Sequence, residues 1–290
     1  MTALALCRFF HFTAAMLAFG ASAFLWLHAP AALRETLSPK VRPLVAAAGL
    51  VALASAVVWL ALEAAAMADD PRAALDPATI GAVLTDTAFG QAWIAHLALA
   101  AAFLAAAVFA RRDAWGSITL LAGVMLASLA LVGHAAMHTG AEGVLHRANH
   151  AVHLLTTGAW LGGLVPFVLA RDAYAADRLR GEAASAMRRF SFSGHFVVAA
   201  IVATGVVNIA LISGRPPLPP ATPYRALLDV KIAVVALMIL LALFNRYRLT
   251  PRLKSDAAAL AFLRLTSVTE VALGTAAVAL VSVLALLDPA

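Results

Sequence analysis

Histidine side chains are concentrated in one short stretch of this sequence. Five of the nine histidines lie between residues 134 and 153. They form two sets, of which the first, with a methionine, follows the i, i+3, i+4 spacing of a helix face and the second follows i, i+4, i+7. The sets are His134, Met137 and His138, then His146, His150 and His153. Imidazole binds several transition metals and a thioether favours copper, so the pattern predicts a copper site, for Cu(I) or Cu(II).

The two sets become neighbours if the polar break between them, residues 139–143, turns the chain back on itself. We then expect imidazole groups from both segments to face a common ion. The predicted core ligands are His134, His138, His150 and His153, and the further candidates are His146, His96, His11 and Met137. The further candidates would complete the ligand shell or pass the ion inward.

Other chemistry was considered for the same residues. Paired histidines on neighbouring helices also supply the axial ligands of haem b, and His11, His96, His134 and His153 are candidates for such a pair. Cys7 is the only cysteine, which excludes a disulfide or a Cys-rich metal site within one chain. The sequence has no H-E-x-x-H motif, no glycine-rich phosphate loop and no nucleophile elbow, so we expect a binding protein and not an enzyme.

The elements that must position these histidines are membrane helices. Of the 290 residues, 63% are apolar and 12% are charged, and the mean hydropathy is +0.91. A bilayer core about 30 Å thick requires about 20 mostly apolar residues per helix. Eight runs qualify: 5–28, 43–67, 90–110, 115–138, 143–170, 191–213, 224–246 and 262–287. We therefore predict an all-α, polytopic membrane helix bundle that forms a single domain over residues 1–290.

The basic residues predict the orientation of this bundle. Fifteen of the 21 Lys and Arg residues follow the first, third, fifth and seventh runs, five lie on the opposite side, and Lys231 lies inside a run. By the positive-inside rule the odd-numbered connections are cytoplasmic, so both termini lie on the outer side, which is periplasmic if the membrane is a bacterial inner membrane. The net charge of +6 therefore indicates contact with membrane lipid and not with nucleic acid. The histidine sets, His11 and His96 fall on the outer side.

A few polar residues inside the predicted spans are candidates for supporting roles. They are Glu63, Asn208, Asp229 and Lys231 in the outer halves and Glu270 in an inner half. We expect Glu63 to pair with Lys231, and Glu63 or Asp229 to offset the charge of a bound cation. Glu270 is placed where an inward path would need a relay.

The order of several motifs resembles the copper resistance protein D (CopD) family. The motifs include residues 133–135, 152–155, 159–164, 189–191, 204–208 and 245–249, with Trp59, Met67 and 89–93 in the first half. This resemblance covers nearly the whole chain. It implies an inner-membrane protein of bacterial copper homeostasis that takes copper from the periplasm toward the cytoplasm. It also implies a periplasmic copper carrier of the CopC type as a partner.

Overall fold

The computed structural model describes residues 2–175, 179–213, 222–252 and 257–288, and all regular elements in these ranges are helical. The α-helices are α1 (Thr2–Ala23), α2 (Ala31–Ala68), α3 (Pro77–Asp86), α4 (Ala88–Phe109), α5 (Trp115–Ser128), α6 (Gly140–Ala175), α7 (Arg180–Ser213), α8 (Pro223–Phe244) and α9 (Ala257–Leu284). Seven described helices are long and apolar enough to cross a membrane, and the segment Trp115–Leu131 is apolar but shorter. The predicted all-α polytopic membrane bundle is confirmed. The proline-rich connection 215–220, for which the sequence predicts an extended conformation, lies outside the described residues.

The two ends of the chain lie on the same side of the bundle. The Arg8 guanidinium near the start of α1 donates a hydrogen bond of 2.8 Å to the Ala285 carbonyl just after α9. We call this side the outer side, following the orientation that the basic residues predict. The starts of α4, α6 and α8 and the ends of α2, α5 and α7 belong to the same side.

Helix α2 begins about twelve residues earlier than predicted. It starts at Ala31, contains Pro39 and Pro43, and its 38 residues are about 57 Å long. The sequence predicted a cytoplasmic connection here, because the apolar runs 5–28 and 43–67 left residues 29–42 between them and these include basic residues. Instead, Arg42 lies on the helix and donates to the Ala107, Ala110 and Arg111 carbonyls at the end of α4. Carbonyls at the end of a helix have no amide partner within that helix, so the Arg42 side chain caps the end of α4.

Helix α5 is shorter than the predicted span 115–138. It ends at Ser128 and is followed by the 3₁₀ turns Leu129–Leu131 and Gly133–Ala136. Gly133 has a φ of 71°, in the left-handed region, which ends the helical path. The prediction that His134, Met137 and His138 share one helix face is therefore wrong.

A short helix occupies part of the outer connection that the sequence left as a loop. Helix α3 begins after Asp76, whose carboxylate accepts hydrogen bonds from the amides of Ala78 and Thr79. The hydrogen bond from the Thr79 hydroxyl is the main reason that the pKa of Asp76 is lowered. At Gly90 a Cβ atom would meet the Val83 carbonyl oxygen at 2.0 Å, so the glycine permits α3 to lie against α4.

Helix α1 is the centre of the bundle and contacts α2, α5, α6 and α9. Its contact with α6 is backbone to backbone. A Cβ atom on Gly20 would lie 2.2 Å from the Gly158 carbonyl oxygen, and one on Gly162 would lie 2.1 Å from that of Met16. The two glycines permit this close approach, and α6 continues as a helix through Pro166. This contact positions His11 of α1 and the histidines of α6 in one rigid unit.

Candidate metal sites on the outer side

The histidines predicted as ligands lie on the outer side of the bundle, but they are arranged in pairs. No group of three or more His, Cys, Asp or Glu side chains suitable for a metal ion occurs among the described residues. The pairs are His138 with His146, His150 with His153, and His11 with His96, while His134 lies apart. Met137 is 52% exposed. The assignment of these residues as metal ligands stays a prediction.

The first pair joins the turn after α5 to the first turns of α6. The Nδ1 atoms of His138 and His146 are 3.0 Å apart, and His138 Nε2 lies 3.5 Å from the Glu142 carboxylate. The ring of His146 is fully buried, and its Nε2 has no hydrogen-bond partner in the part of the chain that the structure describes. Glu142 was not among the predicted site residues. Its spacing of four residues from both histidines is a signal that the sequence contained.

His134 lies in the 3₁₀ turn that follows α5, between the ends of α8 and α9. Its ring meets the Tyr224 ring edge to face at 6.3 Å and bonds to the Leu284 carbonyl. Burial lowers the pKa of His134, which favours the neutral imidazole, the form that binds metals. Its Nε2 is buried and, like that of His146, has no partner among the described residues. Tyr224 is a neighbour that the sequence did not indicate.

The second pair lies deeper along α6. The rings of His150 and His153 are 6.4 Å apart and nearly parallel, at 15°. His153 Nδ1 lies 2.9 Å from the Thr204 hydroxyl, which itself donates to the Ala200 carbonyl. The hydroxyl therefore accepts from His153 Nδ1–H, and we assign the free lone pair of this imidazole to Nε2.

An amide of α7 orients the other member of this pair. The Asn208 side-chain oxygen accepts a hydrogen bond of 2.9 Å from the Asn149 amide, so the Asn208 amide nitrogen faces His150 Nδ1 at 3.4 Å. Asn208 therefore contacts one of the predicted ligands, and its supporting role stays a prediction. Lys231 of α8 lies close enough for its charge to act on both His150 and His153.

The predicted ion pair between Glu63 and Lys231 is wrong. Glu63 Oε1 lies 3.1 Å from Arg8 and accepts a hydrogen bond of 2.9 Å from Trp59 Nε1. Because α1 and α2 are adjacent and antiparallel, Arg8 is the cation that Glu63 meets at the outer side. Arg8 is one of the five basic residues that the sequence places on the outer side, and its side chain is 10% exposed.

The remaining predicted supporting residues lie away from the histidine pairs. Asp229 pairs with Arg225 one turn earlier on α8, at 2.9 Å. Glu270 is 3% exposed in the inner half and accepts a hydrogen bond of 3.2 Å from the Asn245 amide. Glu63 and Asp229 were predicted to assist the site, but in the described part of the chain their ion pairs are with Arg8 and Arg225 and not with the histidines.

The third pair is the most deeply buried. His11 of α1 is 0% exposed and His96 of α4 is 1% exposed, and their Nε2 atoms are 3.1 Å apart. The Trp93 ring stacks on His96 at 4.7 Å, and Trp59 meets His11 edge to face at 5.5 Å. The two imidazoles therefore meet inside an aromatic enclosure between three helices.

Together, the fold and these side chains define a multi-pass helical membrane protein with paired, buried imidazoles on one side. Comparison with known proteins agrees. Residues 1–144 match the family model of the copper resistance protein D-like N-terminal domain, and residues 184–284 match that of copper resistance protein D. The chain belongs to the copper resistance protein D family.

Two curated relatives cover most of the chain. The inner membrane protein YebZ of Escherichia coli (strain K12) is 36% identical over 285 residues, 97% of this chain and 97% of the relative. Copper resistance protein D of Pseudomonas syringae pv. tomato is 33% identical over 254 residues, 84% of this chain and 81% of the relative. No solved structure matches the chain. The chain is a multi-pass protein of the bacterial inner membrane, as its relatives and its apolar helices show.

Proposed function

We propose that this protein accepts copper at the periplasmic face of the inner membrane and passes it inward along the outer histidines. Copper is the cargo, and no catalytic step is part of the proposal. The observation that supports this proposal best concerns two separate buried nitrogens, His134 Nε2 and His146 Nε2. Neither has a hydrogen-bond partner among the described residues. Leaving such a group unpaired costs about 1–3 kcal/mol, which a bound metal ion offsets.

The order of the pairs supports inward passage. His138 and Glu142 are partly exposed and meet a cation first, and the buried His146 lies next to them. His134 lies near enough to His146 for an electrostatic interaction, and both lie near enough to His150 for the same. His150 in turn stacks near His153. Each step therefore leads from one imidazole to the next within the outer half of the bundle.

A copper-carrying partner of the CopC type would deliver the ion to this surface. Membership in the copper resistance protein D family supports a relation to such carriers. The surface it would meet includes His138 and Glu142, which are 22% and 61% exposed at their side chains.

The geometry of the most buried pair, His11 and His96, does not fit a haem bound between these two rings. A haem between two axial imidazoles needs a flat space as wide as a porphyrin. The Nε2 atoms of His11 and His96 are only 3.1 Å apart and are enclosed by tryptophan rings.

The test is copper uptake by the purified protein in sealed proteoliposomes that contain a copper-sensitive dye. The variant His146→Ala removes the buried outer ligand, and His195→Ala is the matched control. His195 lies on the inner side, where its Nε2 is 3.0 Å from the Tyr247 hydroxyl. We expect His146→Ala to lose most uptake and His195→Ala to retain it. Equal uptake by the two variants would contradict the proposal.

A further inference from the structure

Glu270 is a buried acid without a counter-ion in the part of the chain that the structure describes. It lies in the inner half of α9 and is 3% exposed. It forms no ion pair with a described residue, and its one hydrogen bond is with the Asn245 amide, at 3.2 Å. An ionised carboxyl group inside a membrane span needs a cation or several N–H donors beside it, because burial of an unpaired charge is very costly. The neutral, protonated form of Glu270 fits this site, and the ionised form does not.

Glu270 differs in this respect from the other two acids that the sequence places inside the spans. Glu63 is paired with Arg8. Asp229 is paired with Arg225. Of these three acids, Glu270 alone has no described cation beside it. A copper ion that passes into the inner half of the bundle can therefore be compensated by Glu270 without the loss of an existing ion pair.

Polar side chains surround Glu270 on the side that faces the inner end of α9. Helix α8 changes to a π-helical turn at Asn245–Leu249, and this turn places the buried Asn245 side chain against α9. The Thr266 hydroxyl is 2.6 Å from the Asn245 side-chain oxygen. The Ser267 hydroxyl, one turn inward of Glu270, is buried and has no hydrogen-bond partner among the described residues. A hydroxyl both donates and accepts, so these groups are able to pass a proton between Glu270 and the inner side.

The other charged and titratable groups on the described elements packed against the inner half of α9 are bonded elsewhere or exposed. Arg171 of α6 bonds the Leu260 carbonyl and pairs with Asp172. Arg246 in the π-helical turn donates to the Ser191 hydroxyl at 2.6 Å. Tyr174 lies against Arg180, and the exposed groups are Tyr247, Arg248, Arg252 and Arg264. On α1 such groups lie toward the outer end, at Cys7, Arg8 and His11. Burial and the Asn245 amide therefore determine which form Glu270 takes.

We propose that Glu270 is a proton-binding site that exchanges its proton with the inner side of the membrane and releases it when copper enters the inner half of the bundle. The second part of this inference rests on the proposed function, and the first part does not. When Cu(I) comes near the neutral carboxyl group, the O–H bond breaks, its electrons stay on the carboxylate, and the proton leaves toward the inner side. One positive charge replaces another, so the net buried charge does not change. One proton is therefore released for each Cu(I) ion that passes Glu270.

Infrared spectroscopy of the purified protein tests the proton site without copper. A protonated carboxyl group has a C=O band that is separate from the bands of a carboxylate. The variant is Glu270→Gln, whose side-chain oxygen still accepts from Asn245, and the matched control is Glu35→Gln, because Glu35 is exposed near the start of α2. At neutral pH we expect Glu270→Gln to lose a protonated-carboxyl band that Glu35→Gln retains. Loss of carboxylate bands from Glu270→Gln instead would overturn the proposal.

The same band in the wild-type protein shows whether the proton exchanges, and this measurement does not depend on the folding of a variant. We expect the band to shift after transfer into D₂O and to remain when Na⁺ is added at constant pH. An unshifted band would show a proton that is fixed in the structure. Loss of the band with Na⁺ would show a sodium site. Either result would overturn the proposal.

Copper uptake tests the coupling. We expect Cu(I) loading to remove the protonated-carboxyl band of the wild type and to release about one more proton per copper ion from the wild type than from Glu270→Gln. Copper uptake into proteoliposomes with the band unchanged would overturn the coupling. If the wild type takes up no copper, the proposed function and the coupling are both rejected, whereas an exchangeable band would still support the proton site.

Discussion

The Arg8 guanidinium of α1 and the Glu63 carboxylate of α2 form an ion pair of 3.1 Å with side chains only 10% and 16% exposed. The same carboxylate accepts a hydrogen bond from Trp59, and the same guanidinium bonds the Ala285 carbonyl. The pair therefore links α1, α2 and the end of α9 at the outer side, and it occupies the Glu63 carboxylate.

Breaking this pair is expected to be costly. Arg8→Met leaves Glu63 buried without its cation, and removal of one partner of a buried pair typically costs about 3–5 kcal/mol. Arg225→Met is the matched control, because its pair with Asp229 is more exposed, at 31% and 54%, and such pairs contribute about 0–1 kcal/mol. Thermal unfolding of both variants in the same detergent checks the difference. Similar melting temperatures would contradict this reading.

The backbone contact between α1 and α6 predicts a strong effect of one methyl group. Gly162→Ala places a Cβ atom 2.1 Å from the Met16 carbonyl oxygen, so the helices must separate. We expect a loss of about 1–3 kcal/mol, as for other overpacked sites. At Gly194 of α7 a Cβ atom meets nothing within 4 Å, so Gly194→Ala should be neutral or stabilising. The melting temperatures of the two alanine variants provide the test, and a stable Gly162→Ala protein would contradict the contact.

The charge of Lys231 is expected to weaken copper binding by the second histidine pair, His150 and His153. Lys231 lies near both His150 and His153, and its ammonium group would repel a cation bound between them. Lys231→Met should therefore raise copper affinity roughly tenfold, whereas Lys231→Arg should leave it unchanged. Competition with a copper chelator measures both. Weaker binding by the methionine variant would show that Lys231 assists the site instead.

The N-terminus of α3 should be sensitive to acid. The pKa of Asp76 is lowered from 3.8, so its carboxylate stabilises α3 fully above that value and loses this role as the pH falls through the lowered pKa. We expect faster hydrogen exchange in Pro77–Asp86 below pH 3.8, after correction for intrinsic rates. Asp76→Ala should exchange fast at every pH. A pH-independent segment in the unmodified protein would contradict the role of Asp76 as the cap.

Sequence patterns predicted the apolar spans from length and hydropathy, and the order of the spans placed the histidine sets, His11 and His96 on one side of the bundle. They did not predict that α5 ends at Ser128, because the run 115–138 stays apolar beyond that residue. Hydropathy does not report the left-handed conformation of Gly133. The early start of α2 was missed because charged residues near a membrane end are compatible with loop or helix.

The ion-pair partner of Glu63 was also predicted wrongly, for a different reason. Glu63 pairs with Arg8 and not with Lys231, because the choice depends on which helices are adjacent. Spacing along one helix carries no such information. The contact between His11 and His96, 85 residues apart, could be suspected from residue type but not placed.

Copper binding by the outer imidazoles can be tested directly by anomalous scattering at the copper absorption edge from crystals of copper-loaded protein. We expect a peak within coordination distance of His146 Nε2 or His134 Nε2. A copper-loaded crystal with its peaks elsewhere, and none at these two nitrogens, would contradict it.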